Sequence, residues 1–265
     1  MRRRLSPTAF LSAFLFLLLA ALPDALPAAR AARAARAAEV QVAVAANFVK
    51  PLQAMAAGFR AASGYGLAVI PGSTGKLYAQ IVAGAPFEVL LAADQATPAR
   101  LLAEGHAVPG TAYTYAIGRL ALWSRDPARV DRDGAVLARG QFAHLAIANP
   151  RLAPYGEAAL EVLRARGLAE TLAPRLVMGE NIAQTFQFVA SGSAELGFVA
   201  LSQLRDPAHP AGGSAWEVPQ ALYHPIRQDA VLLGPGAADP GARALLQWLR
   251  SAPARRVLAA YGYAP

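Results

Sequence analysis

Val40-Gln41-Val42-Ala43-Val44-Ala45-Ala46-Asn47-Phe48 opens the part of the chain whose pattern can be read as a fold. Val40 to Val44 alternate as a strand does. The period then changes, with Phe48, Leu52, Met55 and Phe59 recurring at helical spacing. Between the two lies a short turn, Ala45-Ala46-Asn47-Phe48. The first N–H groups of a helix have no partner within it, and together with the macrodipole they attract anions. Three more turns place small, hydroxyl or amide side chains at the same kind of junction: Gly72-Ser73-Thr74-Gly75, Asn149-Pro150 through Pro154-Tyr155-Gly156, and Gly179-Glu180-Asn181-Ile182. One such turn reads as an ordinary helix cap. Four of them point to a cage for a small oxyanion.

Outward from the opening strand, the chain alternates strand and helix. Leu67 to Ile70 reads as a strand, followed by a helix through Leu77, Ile81 and Val82. Phe87 to Ala92 is a near-continuous apolar run, as in a strand buried on both faces. Leu101 and Leu102 belong to the next helix. A second unit starts near Arg119, with strands at Leu120-Trp123, Leu145-Ala148, Leu176-Val177 and Leu196-Leu201. Its helices run over Gly156–Arg166 and through Ile182, Phe186 and Val189. Residues 205–219, rich in Pro, Gly, Asp and His, read as an exposed loop. A strand over Asp229–Leu233 and one or two helices over Ala242–Tyr261, broken at Pro253, complete the pattern. Such an order predicts an α/β fold with mostly parallel sheets flanked by helices.

The N-terminus reads as an export signal. Met1-Arg2-Arg3-Arg4 precedes an apolar run, Ala9 to Leu22, that is short for a membrane span, and Ala-x-Ala patterns such as Ala35-Arg36-Ala37 follow. The alternative is an uncleaved anchor. The chain has 25 basic and 17 acidic residues, a net charge of +8, but six arginines and only Asp24 precede residue 38. That leaves 19 basic and 16 acidic residues with no basic run, so nucleic-acid binding is not indicated. With no cysteine, a lipid-modified N-terminal Cys and disulfides are both excluded.

Other motifs fall away on inspection. Gly75-Lys76 fails as a phosphate loop because Ile70 stands where its first Gly should be and Leu77 where Ser or Thr should follow. His106, His144, His209 and His224 lack metal-ligand spacing, and Gly-x-Ser-x-Gly is absent although Ser191-Gly192-Ser193 superficially invites it. Glu88 and Asp94 read as structural, and Trp123, Trp216 and Trp248 as packing.

At the four turns the chain resembles the ModA family, the periplasmic molybdate-binding proteins of ABC transporters. The resemblance is carried in order by Ala45-Ala46-Asn47-Phe48, Gly72-Ser73-Thr74-Gly75-Lys76-Leu77-Tyr78-Ala79-Gln80-Ile81, Gly84-Ala85-Pro86-Phe87-Glu88, Ala148-Asn149-Pro150, Ala153-Pro154-Tyr155-Gly156, Gly179-Glu180-Asn181-Ile182-Ala183-Gln184 and Gly197-Phe198-Val199-Ala200-Leu201. It implies a type II periplasmic binding protein with two α/β lobes and the ligand between them. Residues 1–38 would be signal peptide and leader, 39–117 plus 228–265 lobe I, and 118–227 lobe II, with hinge strands near Tyr115–Arg119 and Ile226–Asp229. It also implies the oxyanion contacts: Ala46 and Asn47 in the first turn, Ser73 and Thr74 as a hydroxyl pair, Tyr155 as the phenol, and Ile182 through its backbone N–H. Some members supply a tyrosine where this chain has Ala200, so here the phenol comes from Tyr155 or not at all.

The implied function is capture of molybdate, and of tungstate, for a membrane permease, by a monomeric periplasmic protein that is neither an enzyme nor a cofactor carrier. The metal of the oxyanion would be held through its oxygens, with no direct metal-ligand residue. The chemistry agrees, because an unprotonated tetrahedral dianion accepts only, and N–H, hydroxyl and amide groups supply donors. Sulfate, phosphate or a small organic anion on the same fold is the alternative, and a periplasmic hydrolase the more distant one.

Overall fold

The protein is described here by a computed structural model covering Glu39–Ala264; the export-signal reading of residues 1–38 lies outside the described residues. From β1 (Glu39–Ala45) a short 3-10 turn, Ala46–Phe48, enters α1 (Val49–Ser63). Then follow β2 (Gly66–Gly72), α2 (Thr74–Val82), β3 (Val89–Leu91), α3 (Ala96–Ala103) and β4 (Tyr113–Gly118). The chain next builds β5 (Leu120–Ser124), α4 (Val136–Arg139), β6 (Leu145–Ala148), α5 (Pro154–Ala165), α6 (Ala169–Leu172), β7 (Leu176–Gly179), α7 (Ile182–Ala190), β8 (Leu196–Ala200), α8 (Leu201–Leu204) and β9 (Ser214–Glu217). It finishes with β10 (Ile226–Leu232), α9 (Pro240–Trp248) and α10 (Ala252–Ala260).

Two five-stranded sheets result, ordered β2-β1-β3-β10-β4 and β7-β6-β8-β5-β9. The α/β architecture is as the sequence pattern predicts, and the sheets are mixed in direction. β1 runs parallel to β3, and β6 runs parallel to β7 and β8. β10 is antiparallel to both β3 and β4, and β5 to both β8 and β9. Parallel neighbours need a crossover between them. β10 instead returns from the second sheet against the direction of β3 and wedges between β3 and β4.

Residues 205–219 are not loop throughout. Ser214–Glu217 forms β9, with Trp216 opposite Leu122 and almost fully buried. A four-residue strand after Gly212-Gly213 has too little alternation to stand out; pairing with β5 and the Arg166 guanidinium over the Trp216 ring hold it. The apolar run Phe87–Ala92 is buried as expected, although only Val89–Leu91 pairs as strand. The terminal helices break at Leu249–Ser251, with Ser251 capping α10. Pro253 lies in the first turn of α10, where no helical hydrogen bond is lost.

One core joins the two ends of the described chain. Phe48, Leu52, Met55 and Phe59 pack with Leu245, Leu249, Leu258 and Tyr263. Phe59 meets Trp248 edge-on, with ring centroids 6.0 Å apart. Phe59→Ala should therefore cost about 3–5 kcal/mol in urea unfolding. A loss of only a few tenths would mean that α9 and α10 do not share the core of β1 and α1.

Candidate functional site

All four turns stand at the C-terminal ends of strands. Ala46-Asn47 follow β1, Ser73-Thr74 follow β2, the segment Asn149 to Tyr155 follows β6, and Glu180 to Ile182 follow β7. Ligands of open α/β sheets bind outside such carboxyl ends. The two edges also face each other. Gly75 N–H donates to the Leu152 carbonyl at 2.9 Å, Ser202 Oγ to the Asn47 carbonyl at 3.1 Å, and Lys76 Nζ pairs with Glu180 Oε1 at 2.8 Å. Gly75 permits the approach, since a Cβ there would lie 3.2 Å from Leu152 Cα.

Asn47 is buried, and its Nδ2 spends both hydrogens inside the protein, on Gln228 Oε1 and Tyr263 Oη, each at 3.0 Å. Its Oδ1 has no partner. Ser73 occupies the N-cap position of α2 yet makes no capping bond, and its buried Oγ is also without a partner. Thr74 Oγ1 accepts from Ala93 N–H at 3.0 Å and keeps its own proton available. Neither Asn47 nor Thr74 acts as a helix cap; that role falls to Asn181, which accepts from Ala183 and Gln184 N–H at the start of α7. The N–H of Ile182, one residue earlier, is left outside that capping arrangement. Tyr155 Oη accepts from Gln228 Nε2 at 3.1 Å, and its proton has no acceptor among the described residues. Ala46, Tyr155 and Ile182 share one apolar cluster with Ala93, the residue bonded to Thr74.

Sequence reasoning missed the residues that tie these turns together. Gln228 on β10 is wholly buried and bonds Asn47, Tyr155 and Tyr115, whose hydroxyl lies 3.0 Å from Gln228 Oε1. Tyr263 and Ser202 lie within hydrogen-bond reach of Asn47 and of each other. The available signal was a lone amide at an inward position of the alternating run Ile226-Arg227-Gln228-Asp229-Ala230. Gly118 completes the arrangement, because a Cβ there would collide with Tyr155 Oη and Gln228 Nε2.

A cleft of about 460 Å³ opens beside Ala46 and Asn47, lined also by Lys50, Asn181, Ser202 and Asp206. Ser73, Thr74 and Tyr155 lie away from its walls. A larger cavity of about 660 Å³, near Tyr113 and Arg250, contains none of the six expected contact residues.

The model of bacterial extracellular solute-binding proteins matches residues 40–264. The molybdate-binding protein ModA of Azotobacter vinelandii is 53% identical over 226 residues, covering 85% of this chain and 90% of the relative. ModA of Rhodobacter capsulatus is 50% identical, covering 85% and 88%. The chain belongs to the ModA family. The solved Azotobacter vinelandii periplasmic molybdate-binding protein superposes with a TM-score of 0.83 at 40% identity, over 85% of this chain and 99% of that one.

In this ModA-family chain the three phenols of the network are donors at any ordinary pH. Burial first of all, and then the neighbouring phenols, push Tyr115, Tyr155 and Tyr263 above the usual value of 10.0. A raised folded pKa contributes stability that is complete below the unfolded value and is lost as pH rises through the folded one. Phenolate absorbance should show these three tyrosines ionising only well above about pH 10, together with loss of the fold. Their titration in the normal range, with the fold intact, would contradict the buried network.

Proposed function

We propose that the chain binds molybdate, and tungstate with it, in the periplasm and delivers it to the permease of an ABC importer. In this reading residues 39–117 plus 228–265 form one lobe and 118–227 the other, closing on the oxyanion as a monomer. The observation that carries it is the pair of unspent buried hydroxyls, Ser73 Oγ and the Tyr155 phenol, on opposite sides of the meeting strand ends.

Ala46, Asn47, Ser73, Thr74, Tyr155 and Ile182 are the proposed contacts, Asn47 through its backbone because its side-chain amide hydrogens are spent, and none of the six carries a charge. The ligand's charge is met by hydrogen bonds and helix starts. Each charge-assisted bond contributes about 1.5–3 kcal/mol, so several together suffice for tight binding. A donor set of fixed size also disfavours a smaller oxyanion, which leaves donors unpaired. Ser73 Oγ, buried and unpaired, is free to donate to an oxyanion, as the binding role requires. The 53% identity to a molybdate-binding relative favours molybdate over sulfate or phosphate.

Molybdate should raise the melting temperature of the mature chain far more than sulfate does. Binding to the folded form alone adds about 4 kcal/mol at a thousandfold excess over Kd. Equal shifts would remove the size selection, and no shift with any oxyanion would remove the binding role.

Tyr155→Phe should weaken molybdate by about 1.5–3 kcal/mol, roughly 10- to 150-fold in Kd by calorimetry. Tyr78→Phe should bind like the parent, because the Tyr78 hydroxyl is engaged with Glu104 on the exposed surface.

A further inference from the structure

We infer that Gln228 is the positioning residue of the oxyanion site: it turns the Tyr155 hydroxyl toward the ligand, and Asn47 serves by orienting Gln228 rather than by donating its side-chain amide. The inference rests on the oxyanion-binding reading above. Gln228 lies on β10 where the pairing register with β4 shifts, and none of it is exposed. A primary amide presents an acceptor on one side and two donors on the other. On the acceptor side, Oε1 lies 3.0 Å from Asn47 Nδ2 and 3.0 Å from Tyr115 Oη. On the donor side, Nε2 reaches Tyr155 Oη at 3.1 Å.

The consequence for Tyr155 is directional. Its oxygen already accepts from Nε2, and a hydroxyl facing an NH₂ group cannot give its proton there. That proton points away from β10, where an acceptor-only ligand receives it. Asn47 is used differently. Both hydrogens of Nδ2 are committed, one to Gln228 and one to Tyr263, so the amide has no donor left for an anion. Asn47 instead fixes which end of Gln228 faces Tyr155.

The opposite arrangement has distinct chemistry. A half-turn of both amides exchanges donors and acceptors at unchanged heavy-atom positions. The Tyr155 proton would then fall to Gln228 Oε1, and Asn47 Nδ2 would be released. Turning one amide alone would set two oxygens or two NH₂ groups 3.0 Å apart. The two amides are therefore one unit. Gly118 leaves room for the amide and phenol to lie together against β4.

The test is a double-variant cycle in molybdate calorimetry, using the parent, Gln228→Met, Tyr155→Phe and the pair, with Tyr78→Phe as a distant control. Each single variant at the site should lose about tenfold or more. In the pair, Gln228→Met should add less than about threefold to Tyr155→Phe, since no phenolic proton remains to be misdirected. Combined with Tyr78→Phe, its loss should be undiminished. Fully multiplying losses in the Tyr155 pair overturn the inference. So does parent-like binding by either Gln228→Met or Tyr155→Phe. A second readout is the Gln228 side-chain NH₂ signal in NMR of the ligand-free protein, which should shift on Tyr155→Phe; an unmoved signal also overturns the inference. If the parent binds no oxyanion, the functional reading fails while the NH₂ signal still decides the hydrogen bond. The same signal decides it if Gln228→Met does not fold.

Discussion

A buried polar atom without a hydrogen-bond partner costs about 1–3 kcal/mol, and among the described residues two such side-chain atoms, Asn47 Oδ1 and Ser73 Oγ, lie at the turns that follow β1 and β2. Around them, polar groups are paired with care. Asn47 Nδ2, both ends of Gln228, Tyr115, Tyr263 and Ser202 all find partners within about 3 Å. The molecule thus satisfies a scaffold of buried amides and phenols while leaving the hydroxyl protons of Ser73 and Tyr155 unspent. An anion site needs that division, because a donor fully used inside the protein has nothing to offer a ligand.

The strand connections make the scaffold possible. β4 leads from the first sheet into β5 of the second, and β10 brings the chain back beside β4. Gln228 therefore sits where the two sheets are joined, next to Gly118 at the end of β4. Asn47 comes from the end of β1 and Tyr155 from the start of α5, so one side chain bridges parts far apart in sequence. Residues 47 and 228 are 181 positions apart, a separation that no local pattern spans.

Charge plays its part at the rim. Lys76 pairs with Glu180 across the two strand edges, with both side chains about half exposed. An exposed pair of this kind contributes at most about 1 kcal/mol. The more specific joining contacts are the Gly75–Leu152 backbone bond and the Ser202–Asn47 bond, which need close approach and fixed geometry. The excess of positive charge belongs largely to the six arginines before residue 38, so it carries no argument about the site.

How much could be read in advance depended on the range of the interaction. The strand–turn–helix junctions at Asn47, Ser73, Tyr155 and Ile182 were legible, because alternation and helical periodicity are local and small turn residues mark the boundary between them. β9 was hidden, since a four-residue strand is decided by pairing with β5 rather than by its own pattern. The mixed direction of the sheets was hidden for the same reason. By itself the sequence determined the α/β alternation, the four turns and their uncharged donor chemistry. The tertiary structure alone decided which donors remain unspent, because whether an Asn amide or a Tyr proton is free depends on partners such as Gln228 and Tyr263, brought within hydrogen-bond distance only when β10 inserts between β3 and β4 and the C-terminal segment packs by the turn after β1.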